Sequence, residues 1–213
     1  MNDRDRYFAQ LRREMVDSQL IDRGIQDTAV LRAMEEIPRH LFVPEDLQNQ
    51  AYDDTPLPLG PDQTISQPLI VAQMIELLQV GSSDHILEVG TGSGYEAAVL
   101  ARVCHTVYTI EIDSLLQKWA VLVLGRLGIR NVRSRLGDGY PGWPEEAPFD
   151  GVIVSAACPA LPSELIGQLK TGGRCVYPHG KENQILTLVE KTAQGMRRSE
   201  HGRVRFVMMK DPQ

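Results

Sequence analysis

The chain has 213 residues, of which 42% are hydrophobic and 23% charged, with a formal net charge of −6. That is ordinary globular usage for one domain, or one domain plus an elaboration, and it buries roughly 70% of its unfolded surface without a disulfide or metal staple. The acid surplus disfavours a general nucleic-acid binder, no apolar run approaches a membrane span, and the charged start Met1–Arg6 is no secretory leader. Cys104, Cys158 and Cys175 form no C-x-x-C, and the five histidines show no ligand spacing. A reduced cytoplasmic setting and a metal-free site are expected.

Residues 1 to about 50 read as helices, with Phe8, Leu11 and Met15, then Val30, Leu31, Met34 and Ile37, at helical spacing and Pro38 as a stop. Residues 51–67 carry Pro56, Pro58 and Pro61, which forbid a helix, and are expected to be a functional loop. Ser66 stands where it either caps the helix opening at Pro68 or serves a site.

From Pro68 the patterns alternate. Helices are expected at 68–80, 95–103, 113–124 (capped by Asp113 or Ser114) and 163–170, the last closed by Gly172-Gly173. Strands are expected at 85–89, 106–111, 132–136, 151–155 and 174–177, followed by an antiparallel pair at 184–191 and 203–208. The fold class is α/β: a doubly wound, mostly parallel, Rossmann-like sheet with an antiparallel C-terminal edge and an N-terminal helical extension. The division expected is residues 1–67 (helices and connector) packed on a core of residues 68–213, one compact unit overall.

The first strand runs into Glu88-Val89-Gly90-Thr91-Gly92-Ser93-Gly94. This is neither the G-x-G-x-x-G of dinucleotide binders nor a P-loop. An acid before the glycines suits a cationic or amine-bearing ligand. Glu111 ends the next strand, where doubly wound sheets bind ribose hydroxyls, and Asp138, beside Gly139, ends the third, where an adenine amine is in reach. Three acids at successive strand ends, with no phosphate cradle, predict a nucleoside ligand without phosphates. S-adenosylmethionine fits that description. Each acid taken alone is as readily structural.

Tyr52-Asp53-x-x-Pro56-Leu57-Pro58-Leu59-Gly60-x-x-Gln63-Thr64-Ile65-Ser66-x-Pro68 resembles the signature of the protein-L-isoaspartate O-methyltransferases, in a bacterial form. The likeness continues through Leu87–Tyr95, Val107–Glu111, Gly137–Gly139, Ala147–Ala157 and Gln168–Arg174. The resemblance implies a class I S-adenosylmethionine (SAM) enzyme that esterifies the α-carboxyl of L-isoaspartyl residues in damaged peptides and proteins, initiating repair through a succinimide. It implies Ser66 and Thr64 as active-site residues. It implies cofactor contacts from Gln63, Thr64, Ile65, Ser66, Glu88, Gly90, Thr91, Gly92, Gly94, Glu111, Asp138 and Gly139. Val71 replaces a histidine that contacts the cofactor in some members. Glu96 replaces a glutamine and adds a charge beside the loop. Ser155-Ala156-Ala157 stands for T-A-A, and Phe206-Val207-Met208-Met209 departs from F-V-P-L at the last strand.

A carboxylate acceptor is ionised at neutral pH and needs no general base, so catalysis is expected from positioning and desolvation. Two alternatives are weighed. A methyltransferase acting on RNA or a small molecule is disfavoured by the acidic balance, by the Gln63–Ser66 connector and by Val154-Ser155-Ala156-Ala157 in place of an N/D-P-P-Y motif. A non-catalytic SAM-binding adaptor would carry an added module, and the last strand lies close to Gln213. Arg197, Arg198, Arg203 and Arg205 read as solvated hairpin charge, and Cys158 as the cysteine to watch for reactivity. The partners expected are isoaspartyl peptides, with no nucleic acid, no membrane and a monomeric state.

Overall fold

The computed structural model describes residues 3–210; the ends of the two expected units, residues 1–2 and 211–213, lie outside the described residues. The N-terminal part holds α1 (Asp3–Met15), which runs on into a π-helical stretch Val16–Ile21, and α2 (Thr28–Glu36). Asp27 caps α2, its Oδ1 accepting from the backbone N–H of Ala29 and Val30 at 2.8 and 3.1 Å. After two 3₁₀ turns comes a small hairpin, β1 (Leu57–Gly60) and β2 (Gln63–Ile65). The connector is therefore helix-free as expected but not structureless. Leu57 pairs with Ile65 and both are buried, which pins a proline-bearing two-stranded piece to the core.

The α/β part follows in order: α3 (Pro68–Leu78), β3 (His85–Val89), α4 (Tyr95–Val103), β4 (Thr106–Glu111), α5 (Ser114–Arg126), β5 (Val132–Leu136), β6 (Phe149–Val154), α6 (Ser163–Gly167), β7 (Leu169–His179), β8 (Gln184–Thr192) and β9 (Gly195–Val204). The seven strands lie in the order β5-β4-β3-β6-β7-β8-β9, parallel through β7 and antiparallel at β8 and β9. The chain steps outward from β3 to β5, then returns to β6 on the other side of β3. That reversal opens a crevice at the carboxyl ends of β3, β4 and β6.

Central strands are mainly apolar because both faces are covered. Ile86, Val107, Ile153 and Val176 face the layer built from α1 to α5, with Phe8, Met15, Leu20, Met34 and Phe42 from the N-terminal helices in the same core. Leu87, Val89, Tyr108, Ile110, Val152 and Val154 face the opposite layer with Leu165 and Leu169. Among the described residues, no helix is long and apolar enough to cross a membrane.

Three expectations need correction. The helix after Ser163 ends at Gly167, because Leu169 already pairs with Phe149 and the sheet claims the chain before Gly172-Gly173. The last strand is Gly195–Val204, not 203–208: a tight turn pairs Thr192 with Gly195, and Gly202 lies inside the strand near a register shift. Ser66 does not cap α3; Gln67 takes that position without a side-chain cap, while Pro68 opens the helix as expected.

Gly94 shows why one glycine in the loop is required for packing. Its φ is +84°, and an added Cβ would lie 2.9 Å from Ala120 Cβ on α5. Gly94→Ala should therefore cost about 2–4 kcal/mol, the sum of left-handed backbone strain and overpacking. For a chain of this size that lowers the melting temperature by about 5–12 °C, readable by calorimetry. An unchanged melting temperature would show that α5 yields to the extra carbon.

Candidate functional site

The crevice is a cleft of about 890 Å³ at the carboxyl ends of β3, β4 and β6. Its walls are the Gly90–Ser93 loop, Glu111 and Ile112, Gly137 and Gly139, Ser155, the Gln63–Ser66 segment of the connector, and the chain after β9 from Phe206 onward.

The glycine loop is braced from within. Gly90 and Thr91 donate their backbone N–H to Ile110 O at 2.9 and 3.3 Å, and Gly94 donates to Thr91 O at 2.8 Å. Gly92 N–H donates to Glu111 Oε2 at 2.8 Å, and Asp113 N–H to Glu111 Oε1 at 2.9 Å. Four N–H groups of the loop are thus already bonded, so the loop is no cradle for phosphate oxygens. The Glu111 carboxylate is buried, is held by two backbone donors and borders the cleft.

Gln63, Thr64, Ile65, Ser66, Gly90, Thr91, Gly92, Glu111 and Gly139 line the cleft as expected. Glu88, Gly94 and Asp138 do not. Glu88 lies fully buried beneath the loop, its Oε2 accepting from the Thr109 hydroxyl, which in turn shares a 2.6 Å hydrogen bond with the Thr91 hydroxyl. Burial, reinforced by the neighbouring Glu96 and Glu111, holds its pKa well above the usual carboxylate range. Its place beneath the loop makes it a prop for the Thr109 and Thr91 hydroxyls and keeps it out of the cleft wall. Asp138 turns its Oδ1 back to the N–H of Tyr140 at 2.9 Å, while Gly137 and Gly139 on either side form the wall. Gly139 is obligatory there, since a Cβ would stand 2.3 Å from Val89 Cγ1.

Expectation also missed a pair. Glu96, in the first turn of α4, is buried on the cleft wall and accepts a hydrogen bond at Oε2 from the Ser155 hydroxyl, beyond β6. Its Oε1 and the Oε1 of Glu88 are buried without a hydrogen-bond partner. The extra charge was visible in the sequence; its burial was not. Desolvation pushes the Glu96 carboxyl up to about 7, partly offset by the Ser155 bond. An unfolded glutamate gives up its proton near 4.5. The native state therefore binds more protons between those values, and stability falls as pH rises from about 4.5 to about 7. Glu96→Gln keeps the acceptor for Ser155 and removes this loss. It should raise the melting temperature by about 7–14 °C more at pH 8 than at pH 4. A shift equal at both pH values would place the titration elsewhere.

The cleft hydroxyls differ in what they do. Thr91 bonds Thr109, Ser93 accepts from Tyr95 N–H at 3.2 Å, and Ser155 donates to Glu96. Thr64 and Ser66 have no side-chain partner among the described residues. Both also line a second cavity outside the cleft, with Pro56, Gln67, Ile70 and the segment Arg203–Phe206. The connector carrying them is anchored by Gln67, whose Nε2 donates to Asp54 Oδ1 at 2.6 Å. Val71 lines the cleft and offers no polar side-chain group, so the wall at this position is apolar.

Cys158 is fully buried, and desolvation raises its thiol to about 11. The expected reactivity is not supported, since the thiolate needed is suppressed. Met208 bridges to Ala157, and the N–H groups of Ala157 and Met209 bond Val207 O and Ala157 O at 2.8 Å each. The Met208-Met209 departure therefore falls on the cleft wall itself. Among the described residues, no cluster of His, Cys, Asp or Glu could hold a metal ion.

These features can be set beside known proteins. The family described as protein-L-isoaspartate(D-aspartate) O-methyltransferase matches residues 10–213. Protein-L-isoaspartate O-methyltransferase 1 of Syntrophobacter fumaroxidans is 49% identical over 201 residues, covering 94% of each chain. The protein-L-isoaspartate O-methyltransferase of Pelotomaculum thermopropionicum is 55% identical over 185 residues, covering 86% of this chain and 81% of its own. A solved protein-L-isoaspartate O-methyltransferase superposes with a TM-score of 0.85 at 30% identity, over 94% of this chain and 66% of that one. A Plasmodium falciparum structure named for the same methyltransferase, in complex with S-adenosyl-L-homocysteine, shares the fold with a TM-score of 0.79 at 24% identity, covering 93% of this chain and 98% of that one.

Proposed function

The chain belongs to the protein-L-isoaspartate(D-aspartate) O-methyltransferase family, and on that premise we propose which residues carry the reaction. The activity is SAM-dependent methyl esterification of L-isoaspartyl carboxyls in damaged proteins. The residues present fit the cofactor. The cleft offers carboxyl groups and no basic phosphate cradle, and the Glu96 Oε1 on its wall is buried without a partner. Bound there, SAM supplies a methyl group on a sulfonium.

Gln63, Ile65, Gly90 to Gly92, Glu111 and Gly139 hold the cofactor, with Glu111 as acceptor for the ribose hydroxyls. Glu88, Gly94 and Asp138 act one step back, by shaping the loops that touch it. Thr64 and Ser66 seat the acceptor carboxylate. The observation that carries this assignment is that these two hydroxyls are the uncommitted ones and stand where the cleft meets the outer cavity. A carboxylate presented from outside meets them at the cofactor's edge. Since the acceptor is already anionic, neither residue needs to remove a proton; their work is orientation and exclusion of water. The acidic balance of the chain further supports a monomeric cytoplasmic enzyme that acts on proteins, apart from nucleic acid and membranes.

The test is transfer of labelled methyl from SAM to two matched peptides, one with L-isoaspartate and one with L-aspartate. Base-labile label on the isoaspartyl peptide alone is the expected result. Label on neither peptide, with SAM binding intact by calorimetry, would overturn it.

A further inference from the structure

We propose that the cavity outside Ser66 receives the residues flanking the isoaspartate, and that Arg203 and Arg205 make this chain prefer damaged segments with an acidic side chain near the isoaspartate. The proposal rests on the methyltransferase assignment above and adds a substrate preference to it.

The cavity is an open depression bounded by Pro56, Thr64, Ser66, Gln67, Ile70 and the Arg203–Phe206 segment. It shares Thr64, Ser66 and Phe206 with the cofactor cleft. A peptide whose carboxylate reaches Ser66 from outside therefore lays at least one flank in it. Pro56, Ile70, Val204 and Phe206 supply apolar wall, and the two exposed arginines supply charge.

The basic residues of this hairpin divide by environment. Arg197 pairs with Glu190 at 2.5 Å and Arg198 with Glu200 at 3.6 Å. Arg203 and Arg205 have no ion pair among the described residues, although acids outnumber bases 28 to 22 in the chain. Two guanidiniums without carboxylates, at the mouth of a site in an acidic protein, make a local positive field. Acids of the hairpin engage Arg197 and Arg198, whereas Arg203 and Arg205 are exposed and stay available to a ligand.

The wall that carries them is fixed. Beyond β9 the chain leaves the sheet, and the buried Gln184 side chain holds it there. Its Oε1 accepts from Phe206 N–H at 2.6 Å, and its Nε2 donates to Phe206 O at 3.0 Å. Arg205 is thereby presented beside Arg203 on one wall of the cavity.

The experiment measures kcat/KM for isoaspartyl peptides that differ only in carrying Glu, Gln or Lys within two positions of the isoaspartate, on either side. On at least one side the Glu peptide should exceed the Lys peptide by about tenfold, chiefly through KM, and high salt should shrink the ratio. Arg203→Ser with Arg205→Ser should level the series. Arg126→Ser with Arg130→Ser, the same charge change on exposed residues near β5 at the opposite edge of the sheet, should preserve it. Equal values on all flanks, or a preference that survives the loss of Arg203 and Arg205, overturns the proposal. Failure to methylate any isoaspartyl peptide, with SAM binding intact, overturns instead the assignment beneath it.

Discussion

Glu111→Ala should raise the dissociation constant for SAM by about 100-fold. The Glu111 carboxylate accepts the backbone N–H of Gly92 at 2.8 Å and of Asp113 at 2.9 Å while bordering the cleft. Alanine removes the acceptor for the ribose and also releases the glycine loop that shapes the cleft. Hydrogen bonds to a charged group contribute about 1.5–3 kcal/mol each. Losing one to the ligand and part of another in the loop comes to about 3 kcal/mol, which is about two decades in affinity. Glu111→Gln separates the two roles. It retains an acceptor but turns an amide donor toward one of the two backbone N–H groups, and should fall between, near tenfold. Titration calorimetry with SAM alone measures both. If Glu111→Ala bound within about threefold of the parent, Glu111 would be a brace for the loop and not a ligand to the cofactor.

The central sheet was legible because its signal is local. Strands buried on both faces are short, mainly apolar runs, and His85–Val89 and Thr106–Glu111 stand in the structure with the bounds their patterns suggest; the partly exposed edge strand Val132–Leu136 does so as well. The misses occur where a distant partner decides. Met196 to His201 is polar and alternates in no useful way, because β9 is the exposed edge of the sheet and needs no apolar face. Its pairing is set by the turn at Thr192–Gly195, and β8 supplies the hydrogen bonds. In the same way Leu169–Thr171 has helical spacing from Ser163 onward, yet β6 captures it. Two residues, Leu57 and Ile65, convert the connector into a hairpin, and their spacing carries no period long enough to read.

The candidate site divides along a similar line. Residue types and order along the chain gave the glycine loop, Glu111 and the Gln63–Ser66 segment, because strand ends of a doubly wound sheet converge on one crevice whatever the details. What sequence cannot give is the depth of a side chain. Glu88 and Glu111 look equivalent as acids at strand ends; one is a prop beneath the loop, its pKa raised by burial, and the other is part of the cleft wall. Glu96 is the converse case, a residue that reads as a surface charge on a helix and is buried against Ser155. The difference in each case comes from which neighbour supplies a hydrogen bond, and that is fixed only when the helices and strands have packed.

Ser66→Ala should lower kcat by about 100-fold while leaving the affinity for SAM within about twofold. Of the hydroxyls lining the cleft, those of Thr91, Ser93 and Ser155 are already engaged with Thr109, the Tyr95 N–H and Glu96. Ser66 stands free at the junction with the outer cavity, so its loss leaves the cofactor's contacts intact but lets the acceptor carboxylate turn away from the methyl group. Misplacement of a reacting group by about 1 Å costs about two decades in rate. Because the acceptor is ionised throughout the working range, the residual activity should keep the parent's pH profile; a serine acting as a deprotonated nucleophile or as part of a proton relay would change that profile when removed. Ser66→Thr retains the hydroxyl and should restore most of the rate. The decisive measurement is the pair of constants taken together. A fall in kcat with SAM affinity and pH profile unchanged assigns Ser66 to orientation of the acceptor. A full-rate Ser66→Ala would shift that role to Thr64, the other uncommitted hydroxyl at the same junction, and a loss confined to SAM binding would place Ser66 on the cofactor side of the cleft instead.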